Sequence, residues 1–300
     1  MAGLPVLDRM RPGDHVCCTF TTDSQRLDLT AAYADAGLRD DHKIVVLSDA
    51  WTPTQVLDGL VARGVPARAA VACGQLEVRS ADDYLPGGEF DPAASISGWR
   101  TQAEAAAGAG FLGLRVLGDM AWAVRPVPGA DRLAWYEAQV NRVFAAGYAM
   151  AMCLYDRRLF DPAHLDLIAS AHPGTHHAGT SEPGVVAPLM RFGHTASPPR
   201  LALSGEADVS NRHALSAMLN ALLDGADAAS PTPVTVDVSG LTFADASAVR
   251  LLIQAAAAAP SGIRLEGCTP PMARLVDLVG GLESGESGRL EIVFGEGVAA

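Results

Sequence analysis

The chain has 300 residues, of which 49% are hydrophobic and 19% charged, a composition typical of globular domains and not of disordered chains. Its formal net charge of -12 excludes a typical nucleic-acid-binding protein, because phosphate contacts need clustered Lys and Arg side chains. The length suits two domains.

No targeting or membrane-spanning segment is predicted. Asp8 and Arg9 stand where a signal peptide needs an apolar core. The longest uncharged apolar run, residues 143–155, is shorter than the roughly 20 residues of a spanning helix. The five cysteines are odd in number and form no C-x-x-C pair, which favours free thiols. We therefore expect a cytoplasmic protein without a membrane partner.

The first part of the chain alternates between strand-like apolar runs and stretches with helical spacing. The predicted strands are His15–Phe20, Lys43–Ser48, Leu76–Arg79, Leu114–Leu117 and Tyr148–Tyr155. The predicted helices cover about 24–39, 53–63, 94–109, 131–146 and 162–171. Apolar strands separated by helices predict a parallel sheet covered on both faces. We assign residues 1–191 to this α/β domain.

A stretch rich in proline and glycine follows, and its last part, residues 192–199, is predicted to be a linker. Residues 200–300 are predicted to form a second, smaller α/β sandwich with the order β-α-β-α-β-α-β. Its predicted strands are Arg200–Ser204, Val234–Val238, Ile263–Glu266 and Leu290–Phe294. Its predicted helices are one carrying Leu215, Met218, Leu219, Leu222 and Leu223 on one face, and those at about 246–258 and 270–279.

The helix near residue 246 carries the first candidate site. Asp245 stands at the N-cap position, where a carboxylate accepts from free backbone N–H groups. Val249 and Leu252 mark the buried face, and Ser247 lies about 200° away from Val249, on the outer face with Arg250. A phosphate on Ser247 would meet the positive end of the helix dipole while adding negative charge to the surface. The simpler interpretation is an ordinary capped helix with a surface serine.

Residues 200–295 resemble the STAS family of anti-sigma-factor antagonists. The matching motifs are Gly205-Glu-Ala-Asp208, Leu241-Thr-Phe-Ala-Asp245-Ala-Ser247 and Met272-Ala-Arg-Leu-Val-Asp-Leu-Val-Gly280. The resemblance implies that Ser247 is phosphorylated by a partner anti-sigma serine kinase. Ala246 and Ala248 depart from the family, which has serine and glycine there. The predicted partner-binding residues are Glu206, Asp208, Asp245, Ser247 and Arg250.

Residues 11–180 resemble the MEDS sensory domain, a family proposed to sense small hydrocarbon derivatives. The resemblance rests on Gly13-Asp-His15-Val-Cys17, Arg115-Val-Leu-Gly118-Asp119-Met-Ala-Trp122, Tyr136-Glu-Ala-Gln-Val-Asn141, Cys153-Leu-Tyr-Asp156 and Ala171-His172-Pro173. It implies a RecA-like α/β fold. A phosphate loop would need G-x-x-x-x-G-K-[ST], but Lys43, the chain's one lysine, has no such loop before it. We therefore predict no enzyme activity and no catalytic residue.

The second candidate site is a ligand pocket in the first domain. His15 and Cys17 share one face of the first strand, and Asp119 and Trp122 follow the strand at 114–117. We predict that these four residues surround a small organic ligand, with no other cofactor. The structural alternative makes His15 and Cys17 ordinary core residues.

The sequence therefore predicts a signalling protein: a MEDS-like sensor tuning a STAS-like anti-sigma-factor antagonist that partner-switches on Ser247. One alternative is a constitutive scaffold in which Ser247 stays unmodified. Another is a metal- or haem-dependent redox sensor, using His15 and Cys17 with His172, His176 and His177. We assign no metal site in the favoured interpretation.

Overall fold

A computed structural model describes residues 10–179, 190–196, 198–225, 232–282 and 289–295. The chain divides into two compact units, one formed mainly by the residues up to 187 and one mainly by those that follow. Among the described residues, no helix combines the length and apolar character needed to cross a membrane.

The first unit contains a six-stranded parallel sheet in the order β3-β2-β4-β5-β1-β6. The strands are β1 (His15–Phe20), β2 (His42–Ser48), β3 (Leu76–Ser80), β4 (Gly113–Asp119), β5 (Ala149–Asp156) and β6 (Gly174–His177). The helices are α1 (Asp23–Arg39), α2 (Pro53–Ala62), α3 (Ala67–Ala72), α4 (Pro92–Gly108), α5 (Leu133–Phe144) and α6 (Pro162–Ser170). The predicted parallel α/β domain is confirmed, and α3 and β6 are additions to it.

The central strands β1, β4 and β5 are buried along their whole length. This explains why they read as continuous apolar runs, since a strand covered on both faces needs apolar side chains on both. Polar residues inside these strands, such as His15, Arg115 and Asp119, are therefore exceptions that require a partner.

The second unit contains a five-stranded sheet in the order β11-β10-β9-β8-β7. Its strands are β7 (Arg191–Ala196), β8 (Pro199–Ala207), β9 (Val234–Ala244), β10 (Ile263–Cys268) and β11 (Leu290–Phe294). Its helices are α7 (Arg212–Asp224), α8 (Ala246–Ala258) and α9 (Pro270–Leu282). The second α/β sandwich is confirmed.

Two boundaries differ from those predicted. The predicted linker at 192–199 is wrong for residues 192–196 and 199, because β7 pairs antiparallel with β8 from Arg191↔Ser204 to Ala196↔Pro199. Pro199 is the first residue of β8, a position in a sheet that tolerates proline. Strand β9 also continues past the predicted end at Val238 to Ala244, with register irregularities along β8.

Candidate functional site

A cavity of about 50 Å³ lies inside the first domain. His15, Asp119 and Trp122 line it, as predicted for the ligand pocket, but Cys17 is not among the lining residues. Cys17 lies two residues further along β1, where it pairs in register with Cys153 and is fully buried in the core. One water molecule takes about 10–15 Å³ of such a space, so this cavity fits a molecule of only a few heavy atoms.

Aromatic rings form much of the cavity wall. Phe90 lies 4.7 Å from Trp122 and 5.2 Å from Tyr136, measured between ring centroids. The Trp99 indole N–H donates to the Tyr136 hydroxyl at 2.8 Å, which fixes the ring of Tyr136. The wall is therefore rigid and largely apolar, as in most small-molecule sites.

Asp119 is held by the protein itself. Its Oδ2 accepts from the Arg26 guanidinium and from the backbone N–H of Ala50, both at 3.2 Å, and its Oδ1 accepts from the backbone N–H of Ala121. Arg26 in turn lies over the Trp51 ring at 4.3 Å. Asp119 thus fixes the loops after β2 and β4, and its carboxylate has a structural partner on each oxygen.

A buried polar cluster borders the same cavity. The His15 Nε2 atom lies 3.2 Å from Oε2 of Glu137 and 3.4 Å from Sγ of Cys153, and Sγ lies 3.7 Å from the same oxygen. The three side chains come from β1, α5 and β5 and are almost completely buried. A cluster of imidazole, carboxylate and thiol is therefore part of the cavity wall.

Two neighbouring side chains orient this cluster. Asn141 Oδ1 accepts a hydrogen bond from His15 Nδ1 at 3.0 Å, and the Tyr155 hydroxyl donates to Oε1 of Glu137 at 2.5 Å. Neither was predicted as a site residue, nor were Glu137 and Cys153. The sequence did hold a signal: Glu137 and Asn141 are four apart on a helix, and Cys153 and Tyr155 are two apart on a strand, so each pair shares a face.

Burial controls the ionisation of the groups around the cluster. It raises the pKa of Cys153 well above its usual value, and the nearby Glu137 carboxylate adds to the effect. The pKa of Cys17 is raised in the same way, first by burial. Burial thus favours the neutral thiol at both positions, which disfavours a reactive redox cysteine, since the thiolate is the reactive form.

Two of the histidines predicted as alternative metal ligands, His176 and His177, do not lie beside His15. His176 pairs in register with Cys18 and His177 with Thr19, three and four residues along β1 from His15. His177 Nδ1 lies 2.8 Å from the Thr19 hydroxyl. At about 3.3 Å per strand residue, these rings are too far along the strand to share an ion with His15.

In the second domain, Ser247 lies in the first turn of α8, as predicted. Asp245 accepts from the backbone N–H of Ala248 at 2.8 Å, which confirms that it is the N-cap residue of α8. The Ser247 hydroxyl is half-buried, not fully exposed, and donates to Oδ1 of Asp245 at 2.7 Å. The other Asp245 oxygen accepts from the backbone N–H of Val209 at 3.1 Å.

The other predicted partner-binding residues lie near the turn that contains Ser247. Glu206 is paired in register with Phe243 at the end of β8, and Asp208 caps the short turn that follows by accepting from Ser210 N–H at 2.7 Å. Arg250 is exposed one turn along α8 from Ser247. The structure thus brings Glu206, Asp208 and Asp245 to the same end of two neighbouring strands.

An open apolar groove of about 400 Å³ lies next to Asp245. It is lined by residues 241–244 of β9 and by residues of α9 and the segment before it. Two of these, Phe243 and Leu278, expose 51% and 69% of their surface, which is unusual for large apolar side chains in one groove. This surface and the Ser247 turn are contiguous along β9.

Residues 14–173 match the family model of MEDS, the "MEthanogen/methylotroph, DcmR Sensory domain". The chain belongs to the MEDS family. Residues 190–283 of this MEDS protein match a second family model, described as "Mlab, STAS domain". The predicted fusion of a MEDS domain with a STAS domain is confirmed.

Two of the solved structures similar to this MEDS protein share 10% of its sequence. One is a KaiC-like protein from Pyrococcus horikoshii OT3, with a TM-score of 0.42 over 65% of this chain and 79% of the other. The second is the flagellar accessory protein FlaH from Methanocaldococcus jannaschii, with a TM-score of 0.43 over 59% and 77%. Similarities this low assign neither an activity nor a partner. No curated protein matches the chain.

Proposed function

We propose that this chain is a sensor-regulated anti-sigma-factor antagonist. The MEDS and STAS domains make it a signalling or sensor protein. In the proposal, the STAS domain binds an anti-sigma serine kinase in the cytoplasm, phosphorylation of Ser247 releases that kinase, and a small organic ligand of the MEDS domain tunes the exchange.

The observation that carries the proposal is the position of Ser247 beside an exposed apolar groove. A phosphate in the first turn of α8 faces the positive end of the helix dipole, so the helix tolerates it. The same phosphate would replace the hydrogen bond to Asp245 with repulsion between two anions. Because Asp245 also holds the Val209 turn, the modification would alter both the charge and the shape of the docking surface.

The constitutive scaffold is the second candidate, and one observation favours it. The Ser247 hydroxyl is half-buried and already bonded to Asp245, so a kinase must first break that contact. In this alternative the groove binds its partner with Ser247 unmodified.

A phosphorylation and binding experiment separates the switched antagonist from the constitutive scaffold. The purified protein is incubated with its cognate anti-sigma kinase and ATP, and its intact mass is measured. We expect one added phosphate, absent from Ser247→Ala. Ser247→Asp should weaken kinase binding at least tenfold, because one charge in a desolvated interface costs a few kcal/mol. Ser97→Asp, on an exposed position of α4, is the charge-matched control.

The proposal assigns no catalytic activity to the chain. Lys43 supports this, since its ammonium donates to the backbone carbonyl of Gly74 at 2.6 Å and lies 3.8 Å from Glu77, away from any phosphate loop. Purified protein incubated with ATP alone should release no phosphate above the blank. Sustained turnover that survives repurification would contradict this part.

A further inference from the structure

We propose that His15, Glu137 and Cys153 bind a divalent metal ion of the zinc class. All three offer a ligand atom, and these atoms lie within 4.8 Å of one another. The three side chains are 1%, 0% and 8% exposed. Burying an imidazole, a carboxylate and a thiol together is costly, and a shared cation is one arrangement that compensates for it. The proposal does not depend on the partner-switching function of the STAS domain.

His15 presents its unprotonated ring nitrogen, Nε2, to the other two proposed metal ligands. The side-chain amide of Asn141 donates to the backbone carbonyls of Glu137 and Ala138, each at 3.0 Å, so its oxygen must face His15. That oxygen lies 3.0 Å from Nδ1, which therefore carries the proton. The Nε2 lone pair then points to Cys153 and Glu137. Metal-binding histidines are commonly fixed by such a hydrogen bond on the other ring nitrogen.

The spacing of the three ligand atoms fits one ion. A tetrahedral zinc ion, with bonds of about 2.0 Å to nitrogen and oxygen and about 2.3 Å to sulfur, separates its ligand atoms by about 3.3–3.6 Å. The observed separations are 3.2 Å from Nε2 to Oε2, 3.4 Å from Nε2 to Sγ and 3.7 Å from Sγ to Oε2. A single point can therefore bond all three atoms without a change in backbone position.

A second hydrogen bond supports the carboxylate. The Tyr155 hydroxyl donates to Oε1 of Glu137, which leaves Oε2 for the ion. Imidazole, carboxylate and thiolate together favour a borderline ion such as zinc over magnesium or calcium, which prefer oxygen ligands alone. Binding would displace the thiol proton of Cys153.

The location connects the ion to the sensory cavity. His15, Glu137 and Cys153 all line the cavity, together with Trp122 and Tyr136. Three protein ligands leave at least one coordination position for a further donor, from the chain or from a molecule in the cavity. The chemical class of ligand that fits is a small molecule with one donor atom and an apolar body.

The test uses cobalt(II) as a spectroscopic probe on the full chain. The protein is stripped with a chelator, titrated with Co²⁺, and followed by absorption and by metal analysis after gel filtration. We expect one Co²⁺ per chain, a thiolate charge-transfer band in the near ultraviolet and the intense visible bands of tetrahedral cobalt. Zn²⁺ should displace the Co²⁺ and abolish both signals.

Variants assign the signals to residues. Cys153→Ala should lose the charge-transfer band. Cys18→Ala removes another buried thiol, on the face of β1 opposite to His15, and should keep the band. Tyr155→Phe should lower the affinity about 10- to 100-fold, the usual effect of removing a partner of a metal ligand. Glu137→Gln preserves the shape of the side chain and removes its charge. It is the variant to measure if Cys153→Ala does not fold.

Two results would overturn the proposal. One is a folded wild-type protein that takes up no Co²⁺ or Zn²⁺. In that case a proton shared between His15 and Glu137, and not a metal ion, would hold the cluster together. The other is metal uptake that is equal in wild type, Cys153→Ala and Glu137→Gln, which would show adventitious binding elsewhere. Neither result affects binding of the STAS domain to a kinase, so failure of the two proposals is distinguishable.

Discussion

The two candidate sites of this chain differ in how they are built. The cluster in the MEDS domain takes His15, Glu137 and Cys153 from three separate elements and buries them almost completely. The turn in the STAS domain takes Asp245 and Ser247 from positions two apart in the chain and leaves large apolar side chains exposed beside them. A change in the first site therefore alters the stability of its domain, whereas a change in the second alters mainly what the domain binds.

The chain offers a convenient probe for this comparison. All four tryptophans, Trp51, Trp99, Trp122 and Trp135, and all five tyrosines lie before residue 180. Tryptophan fluorescence therefore follows only the MEDS domain, whereas far-ultraviolet circular dichroism follows both domains. Unfolding of the two can be compared in the same sample.

The largest expected effect is that of Glu137→Ala. Removing one partner from a buried ionic cluster typically costs 3–5 kcal/mol, so we expect about that loss in the unfolding free energy of the metal-free MEDS domain. Urea denaturation followed by tryptophan fluorescence measures it. Glu137→Gln, which keeps the shape, should cost less. A loss of under about 1 kcal/mol for the alanine variant would contradict the described role of the cluster.

A smaller effect is expected for Tyr136→Phe. The Trp99 indole N–H donates to this hydroxyl in the cavity wall, and a buried donor that loses its acceptor costs about 1–3 kcal/mol. The same fluorescence experiment applies. Tyr148→Phe is the comparison variant, because its hydroxyl donates to a backbone carbonyl at a half-buried position. An equal loss of unfolding free energy in the two variants would mean that the deeper burial of Tyr136 does not strengthen the effect.

In the STAS domain, Asp245→Ala should cost about 1 kcal/mol, the typical value of an N-cap. The loss should appear in the circular dichroism transition and leave the tryptophan transition unchanged. Ser247→Ala should cost less, since it removes one hydroxyl bond and leaves the cap in place. A shift in the tryptophan transition with Asp245→Ala would show that the two domains do not unfold separately.

The smallest effect concerns pH. Burial pushes the pKa of Asp156 upward, but the side-chain and backbone hydrogen bonds from Arg158 outweigh it, so the pKa is lowered overall. A carboxyl with a lowered folded-state pKa stabilises the fold above its unfolded pKa of about 3.9, and this contribution disappears as the pH falls through the folded value. Asp156→Asn should therefore flatten the dependence of stability on pH below about pH 4. An unchanged slope relative to wild type would contradict this role for Asp156.

The fold was largely predictable because its signals are local. Apolar runs and helical spacing identify β1, β2, β4, β5 and the longer helices, since each of these buries a regular face. Strand β7 was missed because its glycine and nearby prolines resemble a linker in composition, whereas its strand character comes from pairing with β8. The extension of β9 to Ala244 also depends on that neighbour.

The candidate site was predictable only in part. His15 was placed at the cavity from the face of β1 that it occupies, Trp122 from its position just after β4, and Ser247 from the cap before it. Glu137 was not predicted, because its distance from His15, 122 positions earlier in the chain, depends on how α5 packs against the sheet. Sequence periodicity determines which face a residue occupies, but not what lies opposite that face.

Helix α5 contributes to two parts of the MEDS domain at once. Tyr136 on this helix forms part of the cavity wall, while Glu137 and Asn141 hold His15 of β1. An α-helix rises about 1.5 Å per residue, so Tyr136 and Asn141 lie within about 8 Å along the axis and move as one rigid body. A displacement of α5 as a whole would therefore move the cavity wall and the groups that contact His15 together. One helix thus supplies both an aromatic wall of the cavity and the polar partners of the first strand.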